Sequence, residues 1–212
     1  MSTFKNAEGK PVLMKMVKAI QDNKAYLGEV DGLIGDGDHG MNMNKGFTVF
    51  GERFGDKEIS FTEGLYELGA VLLNEIGGSM GPIYGTIFME VSDAGDDLDN
   101  IQLADLANML DAGLNGLYEI VEARVGDKTL VDALFPAVES LKQSKDENTD
   151  FKQALEKMKA AAALGRDSTK DMVAKFGRSS RLGERSRGVL DAGATSCYII
   201  LSAMADGIIE LL

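Results

Sequence analysis

Apolar residues recur every three or four positions in eight segments of this 212-residue chain, and the alternation typical of β-strands is nearly absent. Two of the segments also begin with pairs that stabilise the first turn of a helix, Ser60 with Glu63 and Asp150 with Gln153. We therefore predict an all-α fold of eight helices in a single domain over residues 1–212. The clearest boundaries lie at 11–27, 42–50, 129–142 and 194–212, and Pro136 is expected to bend the sixth helix.

The connections between the predicted helices are of two kinds. Those after even-numbered helices are charged and ordinary, whereas those after odd-numbered helices are rich in Gly, Ser, Thr and Arg. In an up-and-down arrangement of antiparallel helices, all loops after odd-numbered helices lie at the same end. We therefore expect a composite site at one end of the bundle, formed by residues 35–42, 77–85, 126–129 and 177–193.

Segment 31–40 combines four glycines with three aspartates, Asp31, Asp36 and Asp38. Its glycines include the spacing G-x-G-x-x-G of phosphate-binding loops, but two carboxylates inside such a loop would repel a phosphate. A Mg²⁺ ion between carboxylates and phosphate resolves this conflict, because Mg²⁺ prefers hard oxygen ligands. A solvated Asp-Gly turn is the alternative; we weigh it lower because clustered carboxylates repel one another unless they are neutralised.

Two other known loops do not fit this segment. A dinucleotide-binding fold requires a strand before the glycines, and residues 22–29 are polar. An EF-hand loop starting at Asp36 would need Gly at its sixth position and Glu at its twelfth, where the chain has Met41 and Phe47. For His39, the only histidine, a phosphohistidine intermediate stays open beside the structural or phosphate-contacting role that we favour.

The other three connections add groups that suit an anion. Residues 77–81 place backbone N–H groups and the Ser79 hydroxyl before a helix, as in phosphate sites, although a flexible connection explains this segment equally well. Residues 126–129 offer one cation and a helix cap. Residues 177–188 carry four arginines, which suit phosphate oxygens or an acidic partner surface better than they suit a solvated loop.

The overall charge and the apolar runs exclude several classes of protein. A net charge of −12 argues against nucleic acid and anionic membranes as partners. The longest uncharged stretch, 192–205, is too short to span a bilayer, and residues 1–10 are too polar for a signal peptide. The single cysteine, Cys197, allows no disulfide framework. We expect a cytoplasmic protein that binds phosphates through metal or a local basic patch.

Four separated motifs resemble the nucleotide-binding L subunit of dihydroxyacetone kinases and occur in family order over residues 31–195. They are Gly35-Asp36-Gly37-Asp38-His39-Gly40 with Asn42-Met43, Gly81-Pro82-Ile83-Tyr84-Gly85-Thr86, Gly126-Asp127-Lys128-Thr129 with Asp132, and the segment from Gly177-Arg178-Ser179-Ser180 to Asp191-Ala192-Gly193-Ala194-Thr195. This resemblance implies an eight-helix antiparallel up-and-down barrel that binds a nucleotide in the loops at one end.

The resemblance also implies particular site residues. Two Mg²⁺ ions would be held by Asp31, Asp36 and Asp38 against the phosphates of ADP or ATP, with Arg178 as a further catalytic residue. The nucleotide-binding residues that it implies are His39, Gly40, Met41, Asn42, Gly78, Ser79, Met80, Gly126, Thr129, Leu130, Arg178, Asp191, Ala192 and Gly193. Met80, Val121 and Leu130 depart from the usual family residues, which identifies the chain as a divergent member.

By the same resemblance, the chain is one subunit of a split kinase for dihydroxyacetone or a related short ketose. A separate ketone-binding K subunit would hold the ketone, and a phosphotransferase-system protein, the M subunit, would rephosphorylate ADP bound to this chain. A non-catalytic regulatory protein that binds nucleotide or lipid is the alternative. The identity of the ketose, the use of a phosphotransferase-system protein or free ATP as donor, and the stoichiometry stay open.

Overall fold

The expected helical segments are all present in the computed structural model, which describes residues 2–212, but the first segment is divided into two helices. Nine α-helices result over the described residues. They are α1 (Lys10–Asp22), α2 (Lys24–Gly32), α3 (His39–Phe54), α4 (Phe61–Glu75), α5 (Met80–Asp93), α6 (Leu103–Ile120), α7 (Val131–Asp146), α8 (Phe151–Ser168) and α9 (Ala192–Leu211). The four unusual loops therefore follow α2, α4, α6 and α8.

The division falls at Asn23, inside the expected helix 11–27. The Asn23 backbone N–H and side-chain amide both donate to the carbonyl oxygen of Ala19, at 3.2 and 2.8 Å, and this double contact ends α1. Helix α2 then continues to Gly32. Consequently Asp31 lies in the last turn of a helix rather than in a loop.

The described chain also contains a small β-sheet that the sequence did not predict. Strands β1 (Thr3–Lys5) and β2 (Asn100–Gln102) pair antiparallel, with Phe4 opposite Ile101. The buried Phe4 ring meets the Phe61 ring edge-on, with 5.4 Å between centroids. Strands of three residues are too short for an alternating pattern to be recognised, so the fold is mostly helical rather than purely so.

The helix caps predicted at Ser60 and Asp150 are both present, whereas the cap expected from residues 126–129 is not formed, because the N-cap residue of α7 is Leu130 and it has no side-chain cap. The Ser60 hydroxyl accepts from the Glu63 backbone N–H at 3.2 Å and the Glu63 carboxylate accepts in return from Ser60, which completes a capping box at the start of α4. The Asp150 carboxylate accepts from the Gln153 N–H at 3.2 Å at the start of α8. Helix α7 begins at Val131, two residues after the predicted start, and Pro136 lies inside it.

Neighbouring helices in the chain pack side by side, from α3 on α4 through to α8 on α9, and α9 also packs on α1, which in turn packs on α3. Their apolar faces form one continuous core. Helix α9 is long and apolar enough to cross a membrane, but 72% of its apolar window is buried inside the protein. This burial is what a central core helix requires.

Candidate functional site

The four loops after α2, α4, α6 and α8 border a single cavity of about 390 Å³. The expectation that these loops form one composite site is therefore correct in geometry. Its lining contains Asp31, Ile34, Gly35, Asp36, Asp38, His39, Ser79, Met80, Ile83, Tyr84, Val121, Ala123, Lys128, Thr129, Leu130, Phe176, Gly177, Arg178, Ser179, Asp191, Ala192 and Gly193. Its carboxylates Asp31, Asp36 and Asp38 are here called the acidic wall, and its apolar side chains the apolar wall.

Three carboxylates form the acidic wall. Asp31 projects from the end of α2, and Asp36 and Asp38 lie in the short loop before α3. One oxygen from each of the three lies within 4.8 Å of the others. Gly35 makes this approach possible, because a Cβ atom there would collide with the Asp31 carboxylate. Gly37 turns the loop with φ of +77°, a conformation that favours glycine.

The electrostatics of these carboxylates favour a bound cation. Burial, and after it the charge of Asp36, raises the pKa of the Asp38 carboxyl. The Asn42 side chain and the Arg178 guanidinium act in the opposite direction, and Arg178 forms an ion pair with Asp36. Three converging carboxylate oxygens are a donor set that suits Mg²⁺, so the residues present fit that ion.

His39 lies at the start of α3, between the carboxylates and the core. Its backbone N–H donates to Asp31 Oδ2 at 3.3 Å, and its Nε2 lies 2.8 Å from the Ser196 hydroxyl. That hydroxyl is also 2.6 Å from the Tyr84 hydroxyl, which donates to the Gly193 carbonyl at 3.2 Å. Burial lowers the pKa of His39 to about 4. The burial of the ring and its contact with Ser196 favour the structural or phosphate-contacting role over a phosphohistidine.

The α6–α7 loop is organised by a buried carboxylate. Asp132 accepts from the backbone N–H groups of Gly126 and Thr129, at 2.6 and 2.8 Å. The expected cation of this loop, Lys128, is only 1% exposed, and its ammonium donates to backbone carbonyls rather than standing free. Residues 126–129 therefore contribute to the shape of the cavity and do not offer it a free positive charge.

Asp191 is the N-cap residue of α9 and lines the cavity. Its carboxylate accepts from the Ala194 N–H at 2.7 Å and so caps α9. Burial raises the pKa of Asp191 to about 7, and the nearby Lys128 opposes that rise. The expected neighbours Ala192 and Gly193 also line the cavity.

The structure does not bring every expected nucleotide-binding residue to the cavity. Gly40 faces α2, where a Cβ atom would collide with the backbone of Lys24. Met41 is 58% exposed, and Asn42 reaches the site only through Asp38. Outside the lining are Gly40, Met41, Asn42, Gly78 and Gly126.

Several residues at or beside the cavity are not among the site residues predicted from the sequence. Tyr84, Ile83 and Lys128 lie in loops expected to form the site, but none of them is among the predicted nucleotide-binding, metal-binding or catalytic residues. Ser196 and Phe176 carried no local signal, because their proximity depends on contacts between distant parts of the chain; Ser196 is 157 positions from its partner His39. The lining therefore combines local motifs with long-range packing.

A mostly helical domain with an acidic, arginine-bordered cavity in the loops at one end is the class of protein that the fold and the geometry define. Within that class, residues 33–206 match the DAK2 domain, and the chain belongs to this family. The matched residues include Asp36 and Asp38 but not Asp31, and they include the whole of the segment that carries Arg178.

Two relatives match over most of their own length. The ADP-binding subunit DhaL of the PEP-dependent dihydroxyacetone kinase of Escherichia coli is 40% identical over 183 residues, covering 85% of this chain and 86% of that protein. The ADP-binding subunit DhaL of the PTS-dependent dihydroxyacetone kinase of Lactococcus lactis is 34% identical over 198 residues, covering 92% and 93%.

A solved structure supports the fold. The crystal structure of the dihydroxyacetone kinase from C. freundii in complex with AMP-PNP and Mg²⁺ superposes with a TM-score of 0.69 at 21% identity, over 97% of this chain. This chain spans 35% of that kinase. The shared part is the helical architecture described above.

Proposed function

We propose that this chain is the ADP-binding, phosphoryl-transferring subunit of a split dihydroxyacetone kinase. The observation that carries this proposal is the cavity, whose lining combines three converging carboxylates and Arg178 with several apolar side chains. The relatives from Escherichia coli and Lactococcus lactis are named as ADP-binding subunits of such kinases. The substrate is dihydroxyacetone or a related short ketose.

Asp31, Asp36 and Asp38 are the residues that would hold Mg²⁺, and we propose two ions. Bound Mg²⁺ would neutralise the negative charge of phosphate groups, which is the main requirement of phosphoryl transfer. Arg178, which pairs with Asp36 in the ligand-free protein, would contact a phosphoryl group once Asp36 binds a cation, because its guanidinium is permanently charged and its fork matches phosphate oxygens. His39 and Asp31 hold the start of α3 against this site.

The apolar wall is the part of the cavity that suits a nucleotide base. Ile83, Val121, Leu130 and Phe176 supply flat or branched apolar surface, and Ala192 leaves room beside them. Ser79 lies at the N-terminal end of α5, where backbone N–H groups favour a phosphate. Met80, Thr129, Asp191 and Gly193 complete the nucleotide site that we propose.

The partners follow from the same function. The chain would receive a phosphoryl group from a phosphotransferase-system protein and pass it to ketone held by a K subunit, with bound ADP as the carrier. Proteins with these roles work in the cytoplasm, which is the location we propose. We further propose that α1 and α3–α9 form a closed eight-helix antiparallel barrel with α2 as an added turn; the packing order from α3 to α9 and back to α1 supports this arrangement.

Native mass spectrometry of the purified protein, followed by a reconstituted transfer assay, tests the function. We expect bound ADP, and phosphorylation of dihydroxyacetone when a K subunit, a phosphotransferase-system donor and phosphoenolpyruvate are supplied together. Omission of each component is the control. Protein that carries lipid, or no ligand, and that supports no transfer with any donor would point to the regulatory alternative instead.

Calorimetry separates the metal from the nucleotide. Because the carboxylates repel a phosphate unless a cation lies between them, ADP should bind at least about tenfold more weakly with EDTA than with Mg²⁺. Equal affinity under both conditions would contradict the metal-bridged arrangement while leaving nucleotide binding itself intact.

A further inference from the structure

Residues 170–188, here called the arginine segment, leave the bundle and return to it at nearly the same point. The segment holds Arg178, Arg181, Arg185 and Arg187. At its base, the Gly188 N–H donates to the Lys170 carbonyl at 2.7 Å, and the Asp191 N–H donates to the Thr169 hydroxyl at 3.0 Å. Compact surface loops of this kind have their two ends close together.

Lys128 lies between those two ends. Its ammonium donates to the carbonyl oxygen of Thr169, just before the arginine segment, at 2.6 Å, and to that of Val189, just after it, at 2.5 Å. The side chain is 1% exposed. Burial of an ammonium group is unfavourable unless its protons are used, and here two of them join the two ends of one loop.

The residue before Lys128 holds the same segment at a second point. The carbonyl oxygen of Asp127 accepts from the Lys175 N–H at 3.1 Å, and the Asp127 carboxylate accepts from the Lys175 ammonium at 2.6 Å. The backbone of Lys128 has φ of +61°, in the left-handed region that residues with a Cβ atom rarely adopt. A bulky residue kept in an unfavourable conformation indicates a requirement for that side chain.

We propose that Lys128 is a positioning residue that clamps the base of the arginine segment and so holds Arg178 opposite Asp36. Arg178 itself is 65% exposed on its side chain and has Asp36 as its ion-pair partner, so contacts at the base of the segment contribute to the position of its backbone. The inference rests on the proposed function only where it assigns Arg178 to phosphoryl transfer. The clamp itself is a statement about the protein without ligand.

Hydrogen exchange of the ligand-free protein tests the clamp directly. Lys128→Met keeps the apolar stem and removes the ammonium, so amides in residues 170–188 should exchange at least about tenfold faster, while α4 and α5 keep their protection. Lys128→Arg retains donors for both carbonyls and should stay within about threefold of wild type. Unchanged exchange in Lys128→Met, or acceleration throughout the molecule, would overturn the clamp.

A matched control removes another lysine that has two partners. Lys159 in α8 contacts Asp206 at 2.5 Å and Glu156 at 3.3 Å, on the side of the bundle. Lys159→Met should leave exchange of the arginine segment unchanged. Faster exchange of that segment in Lys159→Met would show that any lost lysine loosens it, which contradicts a specific role for Lys128.

A double-mutant cycle then tests what the clamp does for transfer. If Lys128 acts through Arg178, the variant with both Lys128→Met and Arg178→Ala should transfer phosphoryl within about twofold of Arg178→Ala alone. Losses that multiply would mean that Lys128 acts independently, for example by direct contact with phosphate, and would overturn the proposal. Absence of transfer in wild type would refute the proposed function, while the exchange result would still decide on the clamp.

Discussion

The two ends of the helical bundle use polar side chains in opposite ways. At the end where α4 begins, Asn6 donates to the Thr62 hydroxyl and to the Leu98 carbonyl, both at 2.9 Å, and accepts from the Thr62 N–H at 3.0 Å. Ser92 donates to the Thr62 carbonyl at 2.8 Å. At the other end, Asp36 and Asp38 face a cavity and one another.

The difference separates groups that hold the fold together from groups that await a ligand. A buried polar group with a full set of internal partners contributes to stability, and removing one partner leaves the other unsatisfied. Converging carboxylates do the reverse, because their mutual repulsion, which Arg178 opposes, is relieved further when a cation is bound. Substitutions at the two ends should therefore have separable effects on stability and on phosphoryl transfer.

The largest effect is expected for Asp38→Asn. The change keeps the shape of the side chain and removes one cation ligand, so transfer should fall about a thousandfold. The ligand-free protein should melt at the same temperature or higher, because one source of repulsion is lost. Asp97→Asn, an exposed site at the other end, is the control and should leave transfer unchanged. A large fall in the ligand-free melting temperature would instead make Asp38 a structural residue.

Arg178→Ala should reduce transfer about a hundredfold, because it removes the permanently charged group at the edge of the carboxylates. The loss should be the same at low and high salt. Arg181→Ala, an exposed arginine of the same segment, should have a smaller effect that depends on salt and on the partner subunit. Wild-type transfer by Arg178→Ala in the reconstituted assay would remove the arginine from the active site.

Asn6→Ala tests the opposite end. It removes the hydrogen bonds of the Asn6 side chain to Thr62 and to the Leu98 carbonyl and leaves those groups in need of partners, so unfolding in urea should show a loss of about 2 kcal/mol. Transfer by the folded protein should be unchanged. Asn74→Ala removes an exposed amide that bonds only to the Ala70 carbonyl, and serves as the control. Equal losses in free energy of unfolding for both variants would mean that the burial of Asn6 does not increase the contribution of its hydrogen bonds to stability.

Local sequence patterns were sufficient to predict the helix caps, the convergence of the four loops and the cluster of carboxylates. The caps at Ser60 and Asp150 follow from residues three positions apart, and the convergence of four loops follows from the alternating direction of the helices. The carboxylates lie within eight positions of one another, so a sharp turn at Gly35 and Gly37 brings them together. Such features depend on short-range geometry, which the sequence displays directly.

Other features depend on contacts between distant segments, which leave no periodic signal. The break at Asn23, the sheet that pairs residues 3–5 with 100–102, and the contact between His39 and Ser196 belong to this group. Lys128 is the clearest case, because a lysine in a phosphate-type loop suggests a free charge, yet tertiary packing buries it on two carbonyls. The sequence shows that this loop contains a lysine, but the hydrogen-bond partners of that lysine are visible only in the structure.

The smallest effect expected is a pH dependence at the site end. The pKa of Asp191 is raised to about 7 by burial, from an ordinary value of 3.8, so the folded state binds the proton more tightly than the unfolded chain. This contribution to stability is fully present below pH 3.8 and is lost as the pH rises through 7. Asp191→Asn lacks it. The wild-type advantage in free energy of unfolding over Asp191→Asn should therefore shrink by about 1 kcal/mol between pH 4.5 and 8, a value reduced for partial exposure to the cavity.

His39, whose pKa is lowered to about 4, acts in the opposite direction: its contribution to stability is present above pH 6.5 and is lost as the pH falls through 4. That contribution is common to both proteins and largely cancels in the difference. Asp150→Asn removes an exposed capping carboxylate from α8 and is the control. If urea titrations show the same difference in free energy of unfolding between wild type and Asp191→Asn across this pH range, Asp191 is ionised in the ligand-free fold. Burial of a protonated carboxyl group would then not distinguish this end of the bundle from the other.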